Sequence, residues 1–512
     1  MVSKQTHLIS QNSEKRTRNK LPFLGLFLGF IFVSLATISI IKVFRSKPKE
    51  YVLDKDTCLS NLHVKITDKE QLCNKLVNQI NFSDFKIEED VAYKLNEPLD
   101  NKLVAKIELP TTDYYSSITD LKPVNIDDTN FLAQNKVTFI DINNLTPSKK
   151  LLSIDDEYYL DSQDTGARFT ILFFSAVDKS KISILKEKLK PLYEKYQKRN
   201  LISFAETGVT ALTRRMTLKL NQVGTGVYFA DYITDFLKSK TFTHLSNEVS
   251  FKNNCPGSYQ TMNLCADWRM LDTITTIGTD IIELTGNHNN DAGIENNLQT
   301  IAKYRQLGIK TVGGGENLSK AREPLDINNS IRLLAYNQST SSVVNGQLAT
   351  NDHPGANPYN EEQVKLDLQN AKKENKFTIV NIQYFECYAY PNQQVAYPLC
   401  DRPIQNQKDF FRHLIDLGAD IVVGTSAHQP QTYELYQNKP IFYGLGNLFF
   451  DQSYWPDTRR SLIITHYFDG ANYLQTRISP TVYDETFRTR LLTTDEAQPF
   501  LSRLLEASLK GN

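Results

Sequence analysis

The sequence predicts an α/β protein, and three observations predict it. From about residue 200 onward, strand-length apolar runs alternate with segments of helical period. Between about residues 57 and 197, short β-like runs are broken by Asp, Asn, Ser and Pro turns. The most polar clusters, among them "ELTGNHNNDAG" at 283–293, follow apolar strands directly. Repeated strand-helix-strand units imply a largely parallel, buried sheet. With 512 residues, 40% of them hydrophobic, the chain can build two or three domains with well-buried cores. Lys plus Arg balances Asp plus Glu at 58 each, so neither a nucleic-acid partner nor an acidic solvating region is expected.

The first 20 residues form a basic tail expected on the cytoplasmic side. "LPFLGLFLGFIFVSLATISII", residues 21–41, carries no charge. At about 1.5 Å per residue it spans roughly the 30 Å of a bilayer core. Residues 21–44 therefore read as one transmembrane helix that anchors the chain to the membrane. A cleaved signal peptide, cut near Ser34, Leu35 and Ala36, is the competing reading, but the apolar run continues to Ile41. Lys15, Arg16, Arg18 and Lys20 precede the span and Lys42, Arg45, Lys47 and Lys49 follow it, so charge alone does not set the orientation.

Residues 45–56 form a charged stalk. The cysteines number six and fall as local pairs: Cys58 with Cys73, Cys255 with Cys265, and Cys387 with Cys400. Local pairing of an even count points to disulfides and an oxidising compartment; free thiols in a cytosolic domain are the alternative. The expected placement is a single-pass cell-membrane protein with its soluble domains extracellular or periplasmic.

Residues 57–197 read as a small α/β domain with strands in "KLVAKIELP", "KVTFIDI" and "RFTILFFSAV". A helix follows through Ile182, Leu185, Leu189, Leu192 and Tyr196. The main domain runs over 200–480. It has strands at "LISFAE", "TDIIEL", "IKTVGGG", "FTIVNIQYF" and "ADIVVGT", with helices at "IENNLQTIAKYRQLG" and "QKDFFRHLIDLG". Residues 481–512 form a C-terminal tail packing on that domain.

Thr207 to Thr210, Asn287 and His288, Glu386, and Gly424 to His428 each lie at the carboxyl end of a strand. In open α/β sheets that edge is where ligands bind, because its loops converge over one crevice. Singly, each residue has a plain explanation: His288 or Asp291 could cap the helix near Ile294, Glu386 could be exposed, and His428 could be a core histidine. Taken together, the loops predict one site. "YWPD" at 454–457 lacks a phosphatase cysteine partner, and "GGGEN" at 313–317 lacks phosphate-loop spacing.

"GNHNNDAG", "GADIVVGTSAHQPQTYELYQNKPIFYGLGNLFFDQ", "LSNEVSF" at 245–251 and "HPGAN" at 353–357 resemble the CapA family of bacterial capsule and poly-γ-glutamate biosynthesis proteins. That family is similar to the calcineurin-like metallophosphatases. The resemblance covers about residues 200–460. It implies a four-layer α/β/β/α metallophosphatase-like sandwich with a metal site at the strand ends. Carried over, its motifs fall on Asn287, His288 and Asp291, on Asn247 and Glu248, on Gln383 to Tyr388 with Glu386 as the acid, and on His428.

The departures matter as much. "ETGVTAL" at 206–212 has no Asp at the strand end, Thr425 and Ser426 replace a histidine, and Gln383 stands where the family has another. A dinuclear centre needs anionic oxygen ligands and imidazoles around two cations about 3.5 to 4 Å apart. Thr and Gln are poor substitutes. The resemblance therefore leaves Glu248, Asn287, His288, Glu386 and His428 to hold one divalent cation or none.

The expected function is synthesis, export or attachment of an anionic exopolymer, alongside capsule-synthesis membrane proteins. A catalytic form would use His288 or His428 as acid, Glu386 as ligand or base, and Arg214 as anion clamp. Thr207, Thr210, Asn247, Asp291, Gln383 and Tyr388 would bind. The alternative is a non-enzymatic polymer-binding scaffold. A solute-receptor role for residues 57–197 rests on its α/β alternation alone.

Overall fold

The structure is a computed structural model and describes residues 85–92, 102–176, 199–384, 406–452 and 456–510, apart from short breaks at 118–120, 122, 164, 260 and 339–345. The tail, the transmembrane segment at 21–44, the stalk and the helix expected over 182–196 lie outside the described residues. Among the described residues, no helix is long and apolar enough to cross a membrane. Residues 88–174 and 178–512 belong to one compact unit, described from here on.

The chain is mixed α/β, with two large sheets. Nine described strands make the first, with Lys310–Val312, Ile281–Glu283, Phe242–Asn247 and Leu201–Glu206 side by side and parallel. Antiparallel strands Arg460–Asp469, Asn472–Tyr483 and Thr489–Leu491 extend it, while Val209–Thr210 and Asn447–Phe449 branch off near the strand ends. The second sheet has six described strands. Ile331–Asn337, Phe377–Gln383, Ile421–Gly424 and Lys439–Phe442 run parallel, flanked by antiparallel Leu325–Asp326 and Tyr433–Tyr436. The expected parallel sheet is thus two sheets with parallel centres and antiparallel edges. The long C-terminal hairpin was hidden because its strands are not followed by helices.

Side-chain alternation along each strand decides what packs where. Val380 and Ile382 pack with Val364 and Leu368 of helix Glu361–Lys373 and with Phe411 and Leu414 of helix Gln407–Asp416. Ile379, one residue out of phase, joins Ile281, Ile331, Val423, Phe204 and Ile464 in a cluster drawn from both sheets. Ala497, Phe500 and Leu504 of helix Thr494–Lys510 complete that cluster. On the first sheet, Leu245 and Ile282 pack instead with Met216 and Leu220 of helix Arg215–Val223 and with Ile301 and Tyr304 of helix Ile294–Gln306.

Helix Glu361–Lys373 shows why these segments are helical. Asn360 caps it by accepting from Gln363 N at 2.9 Å, acids fill its first turn, and lysines fill its last.

Residues 102–174 join the same unit. Strand Lys102–Asp113 pairs with Thr138–Asp141, Lys149–Leu151 and Arg168–Ala176. Ile107, Leu109 and Phe169 pack with Tyr467 and Leu474 of the C-terminal hairpin. Gln475 Oε1 accepts from Leu151 N and Tyr158 Oη, both at 3.0 Å. Cys255 and Cys265 are disulfide-bonded across ten residues. A loop of that length stabilises the fold by about 2.5 kcal/mol through the unfolded chain. Cys58, Cys73, Cys387 and Cys400 lie outside the described residues.

The phase that carries Ile379 between the sheets also carries Asn381 there. Its Nδ2 donates to Glu206 Oε1 at 3.0 Å and to Glu283 Oε2 at 2.8 Å. His466 Nε2 meets Glu206 at 2.8 Å, and His244 Nε2 meets Glu283 at 3.0 Å. Glu283 Oε1 also accepts from Thr425 at 2.7 Å and from Thr285. Glu206, His244, Glu283, Asn381 and His466 are all fully buried. Burial pushes the Glu283 carboxyl up, but the His244 bond and charge and the two hydroxyls outweigh it, and the group sits below its ordinary value of 4.5.

A depressed carboxyl contributes stability above its unfolded value and loses it as pH falls through the folded one. Acid unfolding should therefore steepen below pH 4.5, and Glu283→Gln should flatten that limb in a urea-against-pH series. Asn381→Leu leaves two buried carboxylates each short of a donor and should cost about 3 to 5 kcal/mol at pH 7 by urea denaturation.

Candidate functional site

The strand ends bring most of the predicted residues to one edge, in different roles. Thr207 Oγ1 donates to His244 O at 3.1 Å, which makes it a strut. Asn247 Nδ2 donates to Val249 O at 2.7 Å and to Tyr304 Oη at 3.0 Å, so its side chain braces the loop against the helix Ile294–Gln306. Thr210 O accepts from Glu248 N at 3.0 Å, which fixes the Glu248 backbone. Gly286 lies so close that an added Cβ would meet Glu248 Cα at 2.5 Å. Only glycine fits there, and the two loops touch because of it.

His288 Nδ1 is 2.6 Å from Asp291 Oδ2. That carboxylate also accepts from Leu264 N at 3.0 Å and, on Oδ1, from Gln347 Nε2 at 2.9 Å. Asp291 is therefore an orienting partner of His288. It does not cap the helix at Ile294, whose N-cap is Gly293 without a side-chain bond. With Asp291 as acceptor, Nδ1 carries the proton and Nε2 is the other ring position. Burial works against a charged His288, but the Asp291 bond and the Glu248 and Asp291 charges outweigh it and raise its pKa above the ordinary value; Arg214 pulls the other way.

Arg214 holds its place through Asp451. Its Nε donates to Asp451 Oδ1 at 2.8 Å, its Nη2 contacts the same oxygen, and its guanidinium lies over Phe450 at 4.7 Å from the centroid. Arg215 N donates to the other carboxylate oxygen at 3.0 Å. Arg214 has a φ of 51°, a left-handed conformation that costs a side-chain-bearing residue energy. Asp451 offsets that cost by gripping two successive residues. The His428 ring is 5.3 Å from the same Phe450 ring, and its Nδ1 meets Asn447 Oδ1 at 3.0 Å. Asn447 Nδ2 donates to Thr458 O at 2.9 Å, so Oδ1 is the acceptor and His428 Nδ1 the donor.

Gln383 Nε2 reaches Asn287 Oδ1 at 3.5 Å, joining the ends of the two sheets. Thr210 Oγ1 and Gln383 Oε1 are buried without a hydrogen-bond partner. Most buried polar atoms in folded proteins are paired, directly or through water. Glu386 and Tyr388 lie outside the described residues. Among the described residues no group of three or more His, Cys, Asp or Glu could hold a metal ion.

With this edge assembled, the comparisons identify its family. Residues 204–452 match the model of the bacterial capsule synthesis protein PGA_cap. Residues 204–452 are a domain of that family. It is similar to the capsule biosynthesis protein CapA of Bacillus anthracis, 24% identical over 53% of this chain and 65% of that one. It is also similar to the PGA biosynthesis protein CapA of Bacillus subtilis, 23% identical over 52% of this chain and 68% of that one. The chain thus spans about two thirds of the length of these curated relatives. A solved structure, TT1561 of Thermus thermophilus, aligns at 9% identity over 53% of this chain and 99% of that one with a TM-score of 0.27, too loose to bear on the fold.

The PGA_cap match encloses every described site residue, and its last residue, Gln452, follows Asp451 directly. Asp451, Phe450 and Asn447 were not singled out in the sequence, although they sit inside the stretch "GLGNLFFDQ". A charged residue ending an aromatic run was the available signal. The chain of Glu206, His244, Glu283, Asn381 and His466 went unremarked too, and its signal was polar residues in otherwise apolar strands.

His288 should titrate above about pH 6.5 in an NMR pH series, and Asp291→Asn should lower its midpoint. The raised value means that its pairing stabilises the fold fully below the unfolded midpoint and is lost as pH rises through the folded one.

Proposed function

We propose that this CapA-family chain acts in the synthesis, export or surface attachment of an anionic exopolymer, binding it at the strand-end site. One observation carries the reading: His288, whose pairing favours the imidazolium, lies within electrostatic reach of Arg214 at the carboxyl edge of the sheets. Buried Thr210 Oγ1 and Gln383 Oε1 add hydrogen-bonding positions there. We read the two sheets and their outer helices as a four-layer α/β/β/α, metallophosphatase-like arrangement, which supports a ligand at this edge. The uncharged run at 21–41 supports a single-pass anchor with a cytoplasmic N-terminus and an extracellular or periplasmic soluble part. The local cysteine pairs support the same side. Membrane proteins of capsule synthesis are the partners such a placement suits.

The geometry supports binding first, as in a scaffold of an export complex. Acid-base transfer at a phosphoryl or acyl centre is the second reading. It is favoured by His428, whose bond to Asn447 fixes one tautomer, near a His288 inclined to hold a proton. A single weakly held divalent cation would need Glu386 beside Glu248, Asn287, His288 and His428, and no step is assigned to it.

His428→Ala separates the two readings in purified full-length chain. A scaffold loses polymer binding and cellular polymer output together, which is the expected result; an enzyme loses turnover while binding persists. Metal content should be well below one equivalent by elemental mass spectrometry. A full equivalent of a divalent ion, lost in both Asn287→Ala and His288→Ala, overturns the metal-free scaffold.

A further inference from the structure

A second ligand-sized feature lies away from the strand ends. Helix Ile294–Gln306 presents Gln299, Ala302, Lys303 and Gln306 at i, i+3, i+4 and i+7, one continuous face. With Trp268, Leu271 and Asn253 these residues line a groove of about 680 Å³. The size falls within the range of small-molecule sites. Ala302 keeps the floor low between longer neighbours.

The Trp268 ring stacks on Phe251, 5.0 Å between centroids and 21° between planes. Phe251 is fully buried and meets Tyr304 edge-on at 6.3 Å. Trp268 is therefore a partly exposed ring held flat against a fixed aromatic base. Lys303 Nζ donates to Gln306 Oε1 at 3.0 Å, which makes the Gln306 carbonyl the acceptor and its Nε2 the donor group. Gln299 Nε2 is engaged by Glu295 at 3.0 Å, which leaves its carbonyl as the acceptor. Among the described residues, no carboxylate lines the groove.

A flat aromatic, three side-chain amides and one ammonium match a particular ligand chemistry. The aromatic face takes a C–H-rich ring surface, amides donate to and accept from neighbouring hydroxyls, and the ammonium takes a carboxylate. A phosphate-rich ligand would need more cations. A protein partner would need a larger apolar centre than Trp268, Leu271 and Ala302 provide. We propose that this groove binds an acidic saccharide segment. It begins roughly 9 Å along the helix from the His288 loop, at about 1.5 Å per residue from Gly293 to Gln299, so one extended chain could touch both places. The inference goes beyond the strand-end reading and does not require it.

Trp268 provides its own reporter. The chain has two tryptophans, the other being Trp455, so full-length Trp455→Phe protein reports Trp268 fluorescence alone. Oligogalacturonate, neutral maltohexaose and poly-γ-glutamate serve as probes. Oligogalacturonate should change the emission saturably, bind at least about tenfold more weakly to Trp268→Ala assayed by calorimetry, and weaken similarly with Lys303→Met. Gln299→Ala, a change that spares the aromatic stack, should weaken it severalfold and guards against misfolding of Trp268→Ala. Equal binding of the neutral sugar, binding of poly-γ-glutamate alone, or no response to any probe overturns the proposal. Loss of binding in Arg214→Ala or His288→Ala with the groove variants unaffected also overturns it, and would leave the strand-end reading intact.

Discussion

The amide of Asn381 is shared by two carboxylates that have no access to water. A buried carboxylate is tolerable only when donors surround it, and each of these also has an imidazole. The four groups come from four strands: Glu206 and His244 from parallel neighbours, Glu283 from the next strand, and His466 from the antiparallel hairpin. The fifth group, Asn381, comes from the other sheet. A one-residue slip of any strand would turn its member to the sheet's other face and leave the rest unsatisfied. Apolar contacts give the two sheets their affinity, while this chain fixes how they are set against each other.

That setting positions the functional edge. Thr285 and Thr425 are bound to Glu283, and the loops they begin carry Asn287 and His288 on one side and His428 on the other. Two histidines from different sheets are thus tethered to one buried carboxylate. Asp451 completes the arrangement from the first sheet by holding Arg214 against Phe450, the ring that also touches His428.

Much of the edge was legible in the sequence, because apolar strands followed by polar loops leave a strong local signature. Strands at Ile281–Glu283, Phe377–Gln383 and Ile421–Gly424 and helices at Ile294–Gln306 and Gln407–Asp416 fall where periodicity places them. Asn287, His288 and His428 were recognisable by position, and Gln383 through the family resemblance. Their roles were not. Asp291 looked like a helix cap because caps are local, whereas its partners Leu264 and Gln347 are distant in sequence. Thr207 and Asn247, expected to bind, also hydrogen-bond His244 O, Val249 O and Tyr304 within the fold. Asp451 and the intersheet chain escaped because their meaning lies in contacts between segments up to 260 residues apart, as for Glu206 and His466.

The disulfide between Cys255 and Cys265 closes a short loop, and the residue just before Cys265 is Leu264, whose amide bonds the Asp291 carboxylate. The covalent tie is therefore one residue from the group that orients His288. Oxidation and the proton affinity of a site histidine become linked: a chain with these two thiols reduced would let Leu264 drift and loosen Asp291's hold. A covalent link that looks purely structural thereby reaches, through one backbone amide, to the ring of a histidine in a different loop.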